Sequence, residues 1–522
     1  MIIYQALSTY QILECIEHKQ IYHREEHAML ILGTYIVEKF PEYKKIVRAG
    51  FFDDVCLFNF GGVEAEEKKI LEVMEERIKN TLPIHPREAE KIYIAGVHTY
   101  LAMYLISKGM HFSMFEDGSG ALSRPWVLAE ITQKSSPAKY EIINHYGLYT
   151  HTSELIEEKW CNENAQVENF FDEKMKHFDV LDGFELLTSD EKNKILDFFG
   201  IKEKIDLEED STLLLTQQFS NLGQLSFEDH VRIYQYLFDF YFNEDMNRVV
   251  MKLHPDDIMY YEKLFPKVRL VKNLFPSELL PFVFTRIPKK IATITSTGVH
   301  LIKDRFAEVL QFNEMYERTF KYDPYYYVVL QFVKYLGEKE LDVYGGNILQ
   351  LQNMIKTNCK TLGDLQIYQW ENEGKKGKIL LVDDFCEKSL EDTVEDNYLM
   401  IIYMNSLKKY NMYCNYQRDK FMELIPLDIF IDSYKECEND IENRASTVWI
   451  QTKNEGMKKR MGSFKLNYDL KNTEKKLSVK LYEKEQLEIM RLRGLLEATE
   501  KRLKDYIDRE QVLLEKLKKM EE

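Results

Sequence analysis

The feature that most constrains this chain is a rhythm of short apolar runs, each followed by a longer stretch of helical periodicity, which occurs near the start and again past residue 205. Ile2–Leu7 reads as a strand, with a helix from about Tyr10. Ala28–Leu32 and Val55–Phe58 are further apolar runs, and Glu64–Lys79 has the charge pattern of an amphipathic helix. Lys91–Gly96 reads as a buried strand and Thr99–Ser107 as a helix, and His111–Phe115 as a strand ending on Glu116-Asp117-Gly118. Apolar strands alternating with helices need helices on both faces of a parallel sheet, so the class is α/β. Residues 150–205 read as mainly helical and linking. The rhythm resumes with strands at Thr212–Thr216, Arg248–Leu253, Lys267–Val271 and Lys290–Ile294, a helix at Phe227–Phe242, and a helix from about Val299. Two such series predict two Rossmann-like lobes facing each other across a cleft. Open α/β sheets bind ligands outside the carboxyl ends of their strands, so those ends are where function is sought.

A chain of 522 residues has room for this and more. The expected division is an N-terminal lobe over 1–195, a second lobe over 205–335, an extension of unassigned role over 336–455 and a basic helical tail over 456–522. Within the extension, Lys378–Val382 and Tyr398–Ile402 are strand-like. In the tail, Ile489, Leu492, Leu496, Leu503, Tyr506, Leu513 and Leu517 follow 3- and 4-residue steps, interrupted at Thr499 and Glu510. That is a short, imperfect coiled-coil pattern, which fits self-association and packing on the chain's own body equally well.

Net charge decides against one class of partner. At −17 the chain is a poor candidate for a broad nucleic-acid surface. From Met457 on, 18 Lys/Arg face 13 Asp/Glu, so a basic tail hangs on an acidic body, and Lys458-Lys459-Arg460 through Lys484 could touch anionic lipid or simply be a solvated helix face. Seven cysteines, none in a CxxC pair, read as reduced thiols. The opening apolar run is broken at Gln5 and lacks a basic leader, and no stretch approaches the ~18 apolar residues of a membrane span. The expected location is therefore the cytoplasm, with peripheral contact at the inner face of the plasma membrane.

Four segments at strand ends carry chemistry. Glu116 and Asp117 precede Gly118, which would let the backbone turn tightly. A carboxylate in a partly dry cleft can take a proton from an attacking hydroxyl, though the tripeptide also reads as a plain acidic turn. Lys252 and His254 lie two apart at the end of a strand and so share a face, and Pro255 is expected to end the strand and open a helix. A histidine there can give a proton to a departing phosphate and Lys252 can offset its charge. Ser296 and Thr297 precede a predicted helix, where hydroxyls and backbone N–H groups serve as an anion site or as an ordinary cap. Glu278, in Pro276-Ser277-Glu278, opens a short helix, where it can hold ribose hydroxyls or merely favour the helix dipole. Asp383-Asp384 has no third ligand at useful spacing and reads as a turn, so no metal and no cofactor are expected.

In their order and strand-end placement, Glu116-Asp117-Gly118, Lys252-Leu253-His254-Pro255 and Ser296-Thr297 resemble the motifs of the bacterial sialyltransferase and polysialyltransferase group of GT-B enzymes. Ser8-Thr9-Tyr10-Gln11 is similar to that group's first strand-to-helix turn, and the resemblance covers roughly residues 1–330. It implies a GT-B fold and an inverting glycosyltransferase that moves a nonulosonic acid, such as sialic acid, from its CMP ester to a glycan hydroxyl without a metal, in surface-polysaccharide synthesis. It further implies that Glu116 is the general base with Asp117 in support, and that His254 is the general acid or phosphate stabiliser with Lys252 nearby. Ser296 and Thr297 would grip the CMP phosphate, where the group often has two serines, and Glu278 would hold the ribose. Two other readings remain at this point: a GT-B transferase using another nucleotide sugar, and a non-catalytic scaffold for glycan assembly.

Overall fold

The computed structural model describes residues 1–464 except 35, 37–39, 97, 117–124, 163–171, 221, 256, 258, 260, 313–315, 346–347, 384–396, 407–421, 424–444, 453 and 462. The expected coiled coil and most of the basic tail fall outside that description, as do Asp117 and Gly118. The chain forms two compact units. One comprises Met1–Thr212, Val271–Ile291 and Ser296–Val309; the other comprises Leu213–Leu270, Ala292–Thr295 and the chain from Leu310 onward.

The first unit is built on a seven-stranded sheet. Its strands are β1 (Ile2–Ala6), β2 (Ala28–Gly33), β3 (Asp54–Phe58), β4 (Lys91–Ile94), β5 (Phe112–Phe115), β6 (Ile156–Cys161) and β7 (Met175–His177), in the order β3-β2-β1-β4-β5-β6-β7. Every pairing is parallel. The chain winds outward from β1 in one direction, then returns to β4 and winds the other way, so the switch point lies between β1 and β4. β1, β2 and β5 are buried along their whole length, which is why they read as unbroken apolar runs. Helices Glu67–Thr81 and Tyr100–Ser107 cover one face with Ile70, Met74, Ile78, Leu101 and Leu105. Helix Thr9–Tyr22 lies over an aromatic slab of Tyr4, Tyr93, Phe115, Trp160 and Phe178.

Strands β6 and β7 correct the expectation of a helical linker over 150–205. Glu157, Glu158 and Lys159 interrupt the apolar run of β6 in the sequence. In the sheet Lys159 is buried, and its ammonium pairs with Asp172. A strand that carries its own counter-ion need not look apolar.

The second α/β series folds as a five-stranded sheet of β8 (Thr212–Leu215), β9 (Val249–Lys252), β10 (Arg269–Val271), β11 (Lys290–Thr293) and β12 (Glu308–Gln311), in the order β10-β9-β8-β11-β12. This is the winding of the first sheet over again, and the α/β expectation with parallel sheets holds. The expected helix Phe227–Phe242 is α-helical only to Tyr236 and continues as a π turn over Leu237–Tyr241. The helix expected from Val299 is not formed. Two 3₁₀ turns, Thr297–Val299 and Lys303–Arg305, replace it, with Val299, Ile302 and Phe306 buried.

Residues past 336 form a third sheet: β13 (Glu340–Tyr344), β14 (Gln366–Gln369), β15 (Ile379–Asp383), β16 (Met400–Ser406), β17 (Met422–Glu423) and β18 (Ala445–Thr452), in the order β14-β13-β15-β16-β18-β17. It is parallel from β14 to β16 and antiparallel beyond. Leu214, Met251 and Ala292 share one continuous apolar core with Leu341, Val343, Ile379 and Ile402, and helix Asp323–Tyr335 contributes Val329, Phe332 and Val333 to it. Among the described residues, no helix is long and apolar enough to cross a membrane.

At the start of that helix, Asp323 is fully buried, and its carboxylate accepts hydrogen bonds from the Tyr241 hydroxyl at 2.6 Å, the Tyr316 hydroxyl at 2.5 Å and the Gln350 amide at 2.5 Å. Burial still pushes its pKa from 3.8 up to about 7, against the pull of those bonds. The folded state therefore holds a proton that the unfolded chain has released. Its stabilising effect is complete below pH 3.8 and is lost as pH rises to about 7. Asp323→Asn cannot ionise. Beyond a pH-independent offset, its stability should gain on that of the native chain between pH 4 and 7, by an upper bound of roughly 4 kcal/mol, and its melting temperature should rise relative to the native one. Parallel pH profiles of the two proteins in thermal melts would contradict this.

Candidate functional site

The first locus lies at the carboxyl edge of the first sheet. β5 ends at Phe115, whose ring stacks in the aromatic slab, and Glu116 follows directly. The Glu116 N–H donates to the Trp160 carbonyl at 2.9 Å, and the residue is 3% exposed. At the end of β1, Ser8 caps helix Thr9–Tyr22, its hydroxyl accepting the Gln11 N–H at 3.2 Å. The Gln11 side chain returns to accept the Leu7 N–H at 2.6 Å. This reciprocal tie fixes the turn that presents Tyr10.

Tyr10 reports what surrounds it. Its phenol pKa is raised well above the usual value by burial first, and then by the carboxylates of Glu14, Glu278, Glu116 and Asp179. Glu116 and Glu278, which belong to separate motifs, thus act on one hydroxyl. Tyr10 stays protonated there and can serve as a hydrogen-bond donor. Cys161, at the end of β6, has its thiol pushed up to about 12, by burial and then by Glu116 and Glu14. Glu17 is fully buried, neither of its carboxyl oxygens has a hydrogen-bond partner, and burial with Asp179 and Glu278 nearby raises it well above the ordinary carboxylate range.

Glu278 sits in the 3₁₀ turn Ser277–Leu279, 6% exposed. The neighbouring Ser277 was not singled out by the sequence. A Cβ placed on Gly298 would lie 2.8 Å from the Ser277 hydroxyl oxygen and 3.5 Å from that of Ser296. Two serine hydroxyls therefore flank the bare α-carbon of Gly298, and the glycine is what lets Ser277 approach. The Thr297 side chain lies outside the described residues. Because Thr297–Val299 is a single 3₁₀ turn, the helix-dipole part of the anion-site expectation has no helix to rest on. The two hydroxyls remain.

The second locus lies at the ends of β8 and β9. Lys252 is the last residue of β9; it is buried, and its ammonium donates to the Leu253 carbonyl at 3.2 Å. The strand ends there, so His254 lies beyond it and strand alternation does not put the two side chains on one face. Pro255 stands in a turn; no helix opens at it, Asp257 and Met259 are non-helical, and the described helix is Tyr261–Leu264. The His254 N–H donates to the Thr216 hydroxyl at 2.9 Å. Asp257 accepts from the Tyr261 hydroxyl at 2.6 Å and the Met259 N–H at 3.2 Å, and its N–H donates to the His254 carbonyl at 3.0 Å. Burial pushes the Asp257 carboxyl up to about 6, while hydrogen bonds from Tyr261, Met259 and Thr216 pull it down. Beside this, the Gln217 side-chain oxygen accepts both the N–H and the hydroxyl of Thr295, at 2.8 and 2.9 Å. Thr216, Gln217, Asp257 and Thr295 escaped the sequence reading, although Thr216 and Gln217 directly follow an apolar strand and could have been found by the strand-end rule alone. Among the described residues, no group of three or more His, Cys, Asp or Glu side chains is arranged to hold a metal ion.

Residues 24–305 match the model of glycosyltransferase family 52. A protein of Haemophilus influenzae, known only as an uncharacterized protein, is 22% identical over 218 residues, which is 41% of this chain and 67% of its own length. Among solved structures, an alpha/beta-galactoside alpha-2,3-sialyltransferase from Photobacterium phosphoreum aligns with a TM-score of 0.39 at 12% identity, over 70% of this chain and 97% of its own. Os79 from O. sativa, in complex with UDP, aligns with a TM-score of 0.39 at 9% identity, over 72% of this chain and 93% of its own.

The Gly298 contact makes a double-mutant prediction. Gly298→Ala should destabilise the protein by about 1–3 kcal/mol, the usual cost of an added methyl in a packed place. Ser277→Ala in the same chain should recover most of that loss, because the hydroxyl is the clashing atom. Additive losses in chemical denaturation would show that the two residues do not touch.

Proposed function

Because this chain belongs to glycosyltransferase family 52, a sialyltransferase family, we propose that it transfers a nonulosonic acid from its CMP ester to a glycan hydroxyl with inversion. That it is a sialyltransferase-like glycosyltransferase, with a nucleotide-sugar donor and a glycan acceptor, follows from the family. The cytidylate donor, the residue roles and independence of metal are the finer reading, in a GT-B arrangement.

The finer reading is supported by the burial of both Glu116 and Glu278 within the first unit, where each adds to the upward push on the Tyr10 phenol. In the reaction, the acceptor oxygen attacks the anomeric carbon as Glu116 takes its proton, with Asp117 in support. The bond from the anomeric carbon to the phosphate oxygen breaks, its electron pair leaving with CMP. His254 delivers a proton to that oxygen, with Lys252 nearby and Pro255 shaping the turn. The Ser296 and Thr297 hydroxyls hold the phosphate and Glu278 the ribose hydroxyls. A leaving group with one phosphate carries little enough charge for hydroxyls and an imidazole to stabilise, which supports a reaction without metal. The basic tail extends the proposal to contact with anionic lipid and to self-association, at the cytoplasmic side of the membrane.

The test is CMP release from a panel of CMP-nonulosonates, with and without a glycan acceptor and in the presence of a chelator. Release is expected to depend on acceptor and to survive chelation. His254→Ala and Glu116→Gln should each lower turnover by about 10²-fold or more, the scale of a lost acid or base. Near-normal turnover in both variants would remove the assigned roles, and release only from UDP- or GDP-sugars would remove the donor.

A further inference from the structure

We infer that Gln217 is a donor-binding residue, whose side-chain amide gives its N–H groups to the phosphate of the nucleotide sugar. The inference rests on the reading of the donor as a CMP ester and adds one residue to that site. The second sheet winds outward from β8 to β9 and β10, then returns to β11 and β12, so its switch point lies between β8 and β11. Ligands of open α/β sheets bind outside the strand ends at such a point. Gln217 stands two residues past the end of β8, and Thr295 two residues past the end of β11. Both are half-buried, and both belong to the second unit.

The two side chains can meet in one orientation only. The Thr295 N–H reaches the Gln217 side chain at 2.8 Å, and a backbone N–H can only donate, so the amide atom it meets is the oxygen. The Thr295 hydroxyl donates to the same oxygen at 2.9 Å, which occupies both of its lone pairs. The amide nitrogen is thereby turned away from Thr295, and among the described residues it makes no hydrogen bond. The Gln217 backbone is held as well, its N–H donating to the hydroxyl of the fully buried Tyr234 at 2.9 Å. A side chain fixed in this way offers two N–H donors and no acceptor. It suits oxygens that only accept, as those of a phosphate do, and a bond to a charged oxygen is the stronger kind. The Thr295 hydroxyl has committed its proton to Gln217 and has none to give a ligand. In the run Thr295-Ser296-Thr297 the first hydroxyl therefore acts through Gln217: it fixes the amide, and the amide supplies the donor. The next residue, Ser296, is one of the two already assigned to the phosphate.

The experiment is titration calorimetry of CMP and of cytidine with the full chain, native and as Gln217→Glu and Gln217→Met, with a thermal melt of each. Glutamate has the same shape, and one of its oxygens can still accept both bonds from Thr295. Its other oxygen stands where the N–H groups stood and repels an anion. Gln217→Glu should therefore melt as the native chain does and bind CMP weaker by about tenfold or more, the scale of a lost hydrogen bond to a charged group. Cytidine, which lacks the phosphate, should bind the variant and the native chain alike. Gln217→Met, of similar length but without donor or charge, should lose several-fold in CMP affinity, and it decides if Gln217→Glu does not fold. Native CMP affinity in the folded variant shows that Gln217 only ties down Thr295 and overturns the inference. An equal loss for cytidine puts the amide at the nucleoside and overturns the phosphate as its ligand. A native chain that binds no CMP overturns the donor reading itself, and the role of Gln217 with it.

Discussion

Parallel pairing is the constraint on which this protein depends. In a parallel sheet every strand ends on the same edge, and each crossover must leave from that edge. With β1, β4, β5 and β6 side by side, the turn at Ser8–Gln11, Gly96, Glu116 and Asn162 fall along one line. The strands behind them are largely buried, and so are the polar side chains of Gln5, Ser113 and Lys159 that they carry. Gly96 makes the point in miniature: a Cβ there would collide with Leu7 at the end of β1. The position of Glu116 is accordingly set by backbone, through its bond to the Trp160 carbonyl, and by the aromatic slab that fixes Phe115.

That edge carries a thermodynamic cost. Glu14, Glu17, Glu116 and Glu278 are all buried in the first unit, and Glu17 has no hydrogen-bond partner for either oxygen. Burying carboxyl groups beside one another favours their protonated forms and lowers stability as pH rises. A fold selected for stability alone would replace them with apolar or paired residues. The second unit handles its buried acids differently: Asp323 and Asp257 each gather several donors, which partly offset desolvation.

Much of this was legible in the sequence. The strands β1, β2, β5, β8 and β9 appear as apolar runs because burial on both faces leaves no room for alternation. Glu116, His254, Glu278 and Ser296 were found because short motifs mark strand ends. The misses share a cause. β6 carries a charged residue, Lys159, whose partner, Asp172, lies on a neighbouring segment, so its polarity concealed it. The segment after Val299 buries Val299, Ile302 and Phe306 at helix-compatible spacing, yet it folds as separate 3₁₀ turns. Residues past 336 offered two strand-like runs and no motif, yet they share the apolar core of the second sheet, which no local pattern reveals.

The sequence by itself determined the periodicity: the apolar strands of the first two sheets, the α/β class, and which polar residues stand where such a strand gives way to a loop. These follow from local spacing, because a side chain's direction is fixed by the few residues around it. The tertiary structure decided who meets whom. Ser277 and Ser296 meet at the bare α-carbon of Gly298, and the Thr216 hydroxyl meets a His254 N–H 38 residues away. Such contacts are set by the order in which strands wind into a sheet, and that order is a property of the assembled chain that no window of sequence contains.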